Sequence, residues 1–257
     1  MPTNPLLSPL IMFPIIFILT VGFVAMFALV AVHQIRMAYR HGQSNKAYLE
    51  GDFDQISSGL IAWRAEALRD LSSLVIWGGY TMVRFHHRGE VKSVEDPGGR
   101  AWLAFDYRGQ GGRGTFVLRT SLRELRLSLE RTFDGTRAQV SVDGETLGEI
   151  RESRPFVQMS DRNGYAVGEY HRRKRLLVSR VPLYGEVLMR GRRLARINSY
   201  LVSLDRWWAL NKPSSYFRNP AIIDLDPWLS EEEESWLLAL VGMEVDHSIW
   251  RAIVRHS

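Results

Sequence analysis

The sequence predicts a single N-terminal transmembrane helix plus a mainly-β (β+α) cytoplasmic domain, an antiparallel barrel or sandwich with an apolar C-terminal helix. Three observations predict it. A charge-free apolar run lies near the N-terminus, a long middle section consists of short β-type runs separated by glycine-centred turns, and an apolar stretch with helix-start signals closes the chain. The 257 residues include 33 Lys+Arg against 28 Asp+Glu, a formal net charge of +5, and no cysteine. Disulfide frameworks, thiolate chemistry and Cys-based zinc sites are thereby excluded, which suits a reducing compartment.

Residues 1–9, "MPTNPLLSP", hold no charged side chain and read as an extracytoplasmic tail. From Leu10 to Val32, 23 residues run without a charge; at about 1.5 Å per residue they make roughly 35 Å of helix, enough to cross a bilayer with some tilt. The helix extends to about His41, where Gly42 ends it, so that 10–41 is the transmembrane helix and its extension. A cleaved signal peptide would need a basic start, a shorter apolar run and a small-residue cleavage site, none of which fits. Arg36, Arg40 and Lys46 on the far flank put the N-terminus outside and the remainder in the cytoplasm. The predicted location is the inner (cytoplasmic) membrane, single-pass. Gly22, Ala25, Ala28 and Ala31 are compatible with a neighbouring helix but drift across the face and do not demand one.

After Asp54, a candidate N-cap, Ile56, Leu60, Trp63, Ala67, Leu71 and Leu74 recur at steps of three and four. That spacing predicts a juxtamembrane amphipathic helix over 54–77, either packed on the following domain or lying in the headgroup region with Trp63 and Trp77 as anchors.

Beyond Gly78-Gly79 the composition shifts to Val, Thr, Tyr, Phe and Arg, with turn signals at Gly109–Gly112, Asp134-Gly135, Asp143-Gly144, Asn163-Gly164 and Arg190-Gly191. Residues 79–257 are therefore read as one β-rich domain. Gly109, Gly111 and Gly114 match G-x-G-x-x-G, but a dinucleotide loop needs a helix N-terminus after the glycines, and "TFVLRTS" reads as a strand. The motif is a hairpin connection. Three similar units, "RAQVSVDGETLGEIRE", "FVQMSDRNGYAVGEYHR" and "YGEVLMRGRRLARINS", each place a strand, a turn, and a second strand holding a small residue (Gly148, Gly168, Ala195). They predict consecutive hairpins in a domain of about ten to twelve strands. Ser230 followed by "EEEE" makes a capping box with Glu233, and "SWLLALVGMEVDHSIWRAIV" is apolar on nearly every side. A C-terminal helix over 230–254 is predicted, and such a helix has to be surrounded.

Glycine-centred hairpins ending in one very apolar helix, "EEEESWLLALVGMEVDHSIW", resemble the tubby-like and phospholipid scramblase-like group over about 79–257. The resemblance implies a closed antiparallel barrel around a central C-terminal helix. The N-terminal position of the span and the lack of cysteine depart from scramblases, so it implies a lipid-facing or scaffold role and not scrambling itself.

Two basic clusters, His171–Arg175 and Arg190–Arg196, contain Arg172, Arg173, Lys174, Arg175, Arg190, Arg192 and Arg193 as candidates for anionic lipid or an acidic partner. The alternative is a solvated strand edge blunted by charge. Trp207, Trp208, Tyr216 and Phe217 lie in a polar, loop-like stretch and are candidates for a partner interface or for a lid on the core. The carboxylates of "DLD" at 224–226 and "MEVDH" at 243–247 read as turn, cap and structural residues, and the sequence shows no catalytic spacing. The expectation is a non-catalytic, membrane-anchored accessory or assembly subunit of a larger photosynthetic, respiratory or transport complex, with the β-domain capping its cytoplasmic face. A scramblase-like lipid-binding protein is the alternative. Partners are an integral membrane protein complex and membrane lipids; no cofactor, nucleic acid or nucleotide is expected.

Overall fold

Strict alternation of apolar and polar residues, as in "ELRLSLE" and "TRAQVSV", builds strands with one wet face and one dry face: Leu125, Leu127, Leu129, Ala138 and Val140 are buried, while Arg126, Ser128, Arg137 and Gln139 are exposed. The structure, a computed structural model, describes residues 53–80, 84–93, 99–153, 156–172, 184–198 and 221–254. The expected tail 1–9 and transmembrane helix 10–41 lie outside these residues, and among the described residues no helix is long and apolar enough to cross a membrane.

Twelve strands form one antiparallel meander in which each pairs with the next. They are β1 (Leu71–Tyr80), β2 (Arg84–Ser93), β3 (Leu103–Gln110), β4 (Arg113–Arg119), β5 (Glu124–Thr132), β6 (Gly135–Val142), β7 (Glu145–Ser153), β8 (Phe156–Asp161), β9 (Ala166–His171), β10 (Tyr184–Met189), β11 (Arg192–Asn198) and the two-residue β12 (Ile222–Ile223). The barrel or sandwich expected from the sequence is corrected here: the described residues form a single sheet that is not closed, because β1 and β12 end the strand order and do not pair with each other. The hairpin readings hold. Gly109 to Gly114 form the β3–β4 hairpin, with Gly111 (φ 57°) and Gly112 (φ 85°) at the turn. Asp143 and Gly144 also both have positive φ, the turn whose twist matches that of the flanking strands.

The three similar sequence units are the β6–β7, β8–β9 and β10–β11 hairpins, and each carries an irregularity at the same place. Pairing jumps from Val140↔Gly148 to Ser141↔Thr146, from Met159↔Gly168 to Ser160↔Ala166, and from Val187↔Ala195 to Leu188↔Arg193. The skipped residues are Leu147, Val167 and Leu194, and all three pack on the main core. A bulge bends its strand and increases the twist, so three in successive hairpins curl the sheet.

The sheet curls around a helix. The C-terminal helix runs over Glu231–Val254 and is buried almost continuously from Glu233 to Asp246. Its start is the expected capping box: the Glu233 N–H donates to Ser230 Oγ at 3.3 Å, and the Ser230 N–H donates to Glu233 Oε2 at 2.8 Å. Gly242 marks the closest approach to the sheet, where an added Cβ would stand 2.7 Å from Leu118 Cδ1 and 2.8 Å from Leu127 Cδ1.

The helix expected over 54–77 is not there. A short helix α1 (Phe53–Ser58) ends as the Ser57 and Ser58 hydroxyls donate to the carbonyls of Asp54 and Gln55, Gly59 follows, and a single turn α2 (Ala67–Asp70) leads directly into β1. The C-terminal helix is accordingly α3. The apolar stripe was real, since Leu60, Trp63, Ala67 and Leu68 are buried, but tertiary contacts spend it differently. Trp63 Nε1–H donates to Glu234 on α3, the Ile61 N–H donates to the Ala101 carbonyl at 2.9 Å, and the β-branched and aromatic run "LSSLVIWGGY" pairs with β2. Trp63, 4% exposed, is a core residue and not a membrane anchor. The β-domain also starts well before residue 79, within a compact unit spanning Ala47–Ser257.

Candidate functional site

The inner face of the sheet is occupied by the chain's own helix, and charged pairs lock the two together. Near the N-terminal end of α3, Arg123 Nη1–H donates to Ser235 Oγ at 3.0 Å, Arg190 pairs with Glu232 at 3.1 Å, and Arg192 pairs with Glu233 at 2.7 Å. Deeper along α3, Arg131 pairs with Asp246, and Arg172 bridges Glu152 and Glu244, the latter at 2.6 Å. Burial pushes the Asp246 carboxyl up, against the pull of Arg131. Burial, and next the Asp246 charge, push the Tyr107 phenol up to about 12. Burial works against the Arg172 charge, but Glu244 and Glu152 outweigh it and keep the guanidinium firmly protonated. Removing one partner from such a buried pair costs about 3–5 kcal/mol, because it strands the other charge.

The outer face carries an open groove of about 770 Å³ over β4 to β8, lined mostly by polar and charged side chains. Register places two polar rows across it. One runs Thr115, Ser128, Gln139, Glu149, Ser160, and the other runs Arg113, Glu130, Arg137, Arg151, Gln158. The first row has short or amide side chains around one carboxylate; the second is rich in guanidinium groups. Arg113 Nη2 reaches Glu130 Oε1 at 3.0 Å, and Arg137 Nε and Arg151 Nε both reach Glu149 Oε1, at 3.0 and 3.4 Å. Arg162 lines the same groove, exposed beside the turn in which Asp161 Oδ1 accepts the N–H groups of Asn163 and Tyr165. Such a surface can donate many hydrogen bonds to an anionic or amide-bearing ligand.

The residues expected to bind anionic groups fare unevenly. Arg172 is a correction: at 11% exposed it is locked to Glu152 and Glu244, because strand β9 turns it inward to the helix. Arg190 and Arg192 remain exposed but are paired with the acidic first turn of α3, Arg192 also with Asp226. Arg193 is exposed on β11. Arg173, Lys174 and Arg175, and the aromatics Trp207, Trp208, Tyr216 and Phe217, lie outside the described residues. "DLD" has the turn role expected of it: Asp224 (φ 51°) pairs with Arg196, and Asp226 Oδ1 accepts the Trp228 N–H at 2.8 Å. The groove residues Arg137, Gln139, Arg151 and Gln158 are not among the sequence-predicted site residues; alternate spacing along a strand can signal an outward face but not which of these residues become neighbours.

Fold and site together define a mainly-β module whose curled sheet is filled by its own C-terminal helix and whose polar groove is on the outside. Comparison with protein-family models, with curated proteins and with solved structures finds no match to this chain.

Proposed function

We propose that this protein is a non-catalytic, membrane-anchored accessory or assembly subunit of a larger membrane protein complex, such as a photosynthetic, respiratory or transport assembly. The span at 10–41 tethers it to the inner membrane, and the β-domain covers the cytoplasmic face of its partner. The observation that carries this reading is the filled inner face: Trp236, Leu237, Leu238, Ala239 and Leu240 are at most 1% exposed, so α3 takes the place that a bound ligand would need there. Recognition then falls to the outer surface and the loops, as suits a docking module. Extraction in mild detergent, native sizing and mass spectrometry of co-migrating chains tests it. Co-migration with specific membrane subunits is expected; migration alone at 29.5 kDa overturns it.

A lipid-binding role in the tubby-like and scramblase-like manner is the second reading, favoured by the arrangement of an antiparallel sheet around an apolar C-terminal helix. Stoichiometric phospholipid in the purified protein, with no co-migrating chain, would favour it.

A further inference from the structure

The fold compensates the Arg137–Arg151 pair only in part, through one shared carboxylate. The two residues stand directly opposite on β6 and β7, where like charges cost stability. Both lean through Nε on the same oxygen, Glu149 Oε1, and neither has a further ion pair or hydrogen bond through its Nη atoms among the described residues. The other carboxylates around the groove are occupied. Glu130 accepts both Nε–H and Nη2–H of Arg113, at 3.2 and 3.0 Å, and Asp161 Oδ1 caps its own turn. Around the pair stand Gln139, opposite Glu149, and Gln158, opposite Arg151, whose amides can both donate and accept.

We infer that this groove binds an acidic segment of a partner protein, a carboxylate side chain being held between Arg137 and Arg151 while Gln139 and Gln158 meet the peptide backbone. This deepens, and rests on, the reading of the protein as a docking subunit. A planar guanidinium grips a carboxylate through paired N–H groups, and a carboxylate between two of them also relieves their mutual repulsion. A phospholipid is the poorer occupant. Leu129, the one large apolar residue lining the groove, is 3% exposed and offers an acyl chain nothing.

The test uses full-length protein in uncharged detergent and fluorescently labelled hexaglutamate as the probe. Saturable binding that weakens with added salt is expected, and the double change Arg137→Gln with Arg151→Gln should weaken it by about tenfold or more. Arg100→Gln, an exposed arginine outside the groove, should change it by less than about twofold. Glu149→Gln, which removes the internal competitor, should tighten it. The double variant should melt within a few degrees of the wild type, since it removes a like-charge pair together with two exposed ion pairs to Glu149 that offset it. Equal binding by wild type and double variant, an equal loss in Arg100→Gln, or a loss that merely follows a fall in melting temperature each overturns the inference. So does displacement of hexaglutamate by phosphatidylglycerol vesicles that depend on the same two arginines, which would give the groove to lipid. The two readings fail separately: a complex that survives native sizing while hexaglutamate ignores these arginines removes the groove and leaves the subunit.

Discussion

Asp106 shows how much one buried carboxylate can carry. It is 6% exposed on β3 and receives His86 Nε2 at 2.7 Å, Arg88 Nε at 3.0 Å and Arg108 Nε at 2.9 Å. Burial pushes its carboxyl up, but the hydrogen bonds and charges of His86 and Arg88 outweigh that and hold it at about 2. Its folded value is thus below its unfolded value, so the stabilisation is present above about pH 4 and is lost as the pH falls through 2, an effect of about 2 kcal/mol. In urea titrations, the stability gap between wild type and Asp106→Asn should narrow by that amount between pH 5 and pH 2. Parallel pH profiles for the two proteins would place the acid-sensitive charge elsewhere.

The repeated hairpins depend on a small residue beside each bulge. At Gly148 an added Cβ would stand 2.0 Å from the Ser160 carbonyl oxygen, and at Gly168 2.6 Å from that of Leu188, so backbone of the next strand occupies the space a side chain would take. Gly148→Ala should therefore cost about 2–3 kcal/mol or more through forced separation of β7 from β8. Gly144→Ala is the informative comparison, since nothing lies within 4 Å and only its φ of +88° opposes a side chain. There the loss should be about 1 kcal/mol. Chemical denaturation of both variants checks this; equal losses would mean that turn conformation, and not strand approach, limits the repeat.

The open sheet is held in its curl by what it encloses. Helix α3 exchanges side-chain contacts with residues from β4 and β5 round to Arg172 and Arg192, so its removal would leave most of the inner face exposed. Leu240, fully buried near the middle of α3, tests this. Leu240→Ala should cost about 2–5 kcal/mol and lower the melting temperature of the full-length protein by several degrees or more. A shift within error would show that sheet and helix do not share one core.

Much of this architecture could be read from local signals, and the misreadings share a cause. Four glutamates after Ser230 and an apolar surface all round announced α3 to within a residue of its observed start. Asp143-Gly144, Arg190-Gly191 and the Gly111-Gly112 step announced their hairpins, because a positive-φ turn is chosen by the residues that form it. The segment 54–77 had equally good helical spacing and lost it. Trp63 found Glu234, 171 positions away, and Leu71–Tyr80 found β2, and those distant partners outweigh the few tenths of a kcal/mol per residue that propensity provides. The site divides the same way. Alternation marks Arg137, Arg151, Gln139 and Gln158 as outward-facing, but a strand's sequence does not say which outward residue of the next strand stands opposite. Cross-strand register sets that, and register follows from the bulges and from burial against α3. The basicity of Arg172 was plain in the sequence, whereas its burial between Glu152 and Glu244 depended on a helix some 70 residues further along the chain, 72 by the Arg172–Glu244 bond. Local chemistry sets the turns, the cap and the elements whose patterns meet no competing distant partner; the fate of 54–77, and which face meets which, are properties of the packed whole, where distant groups are desolvated together.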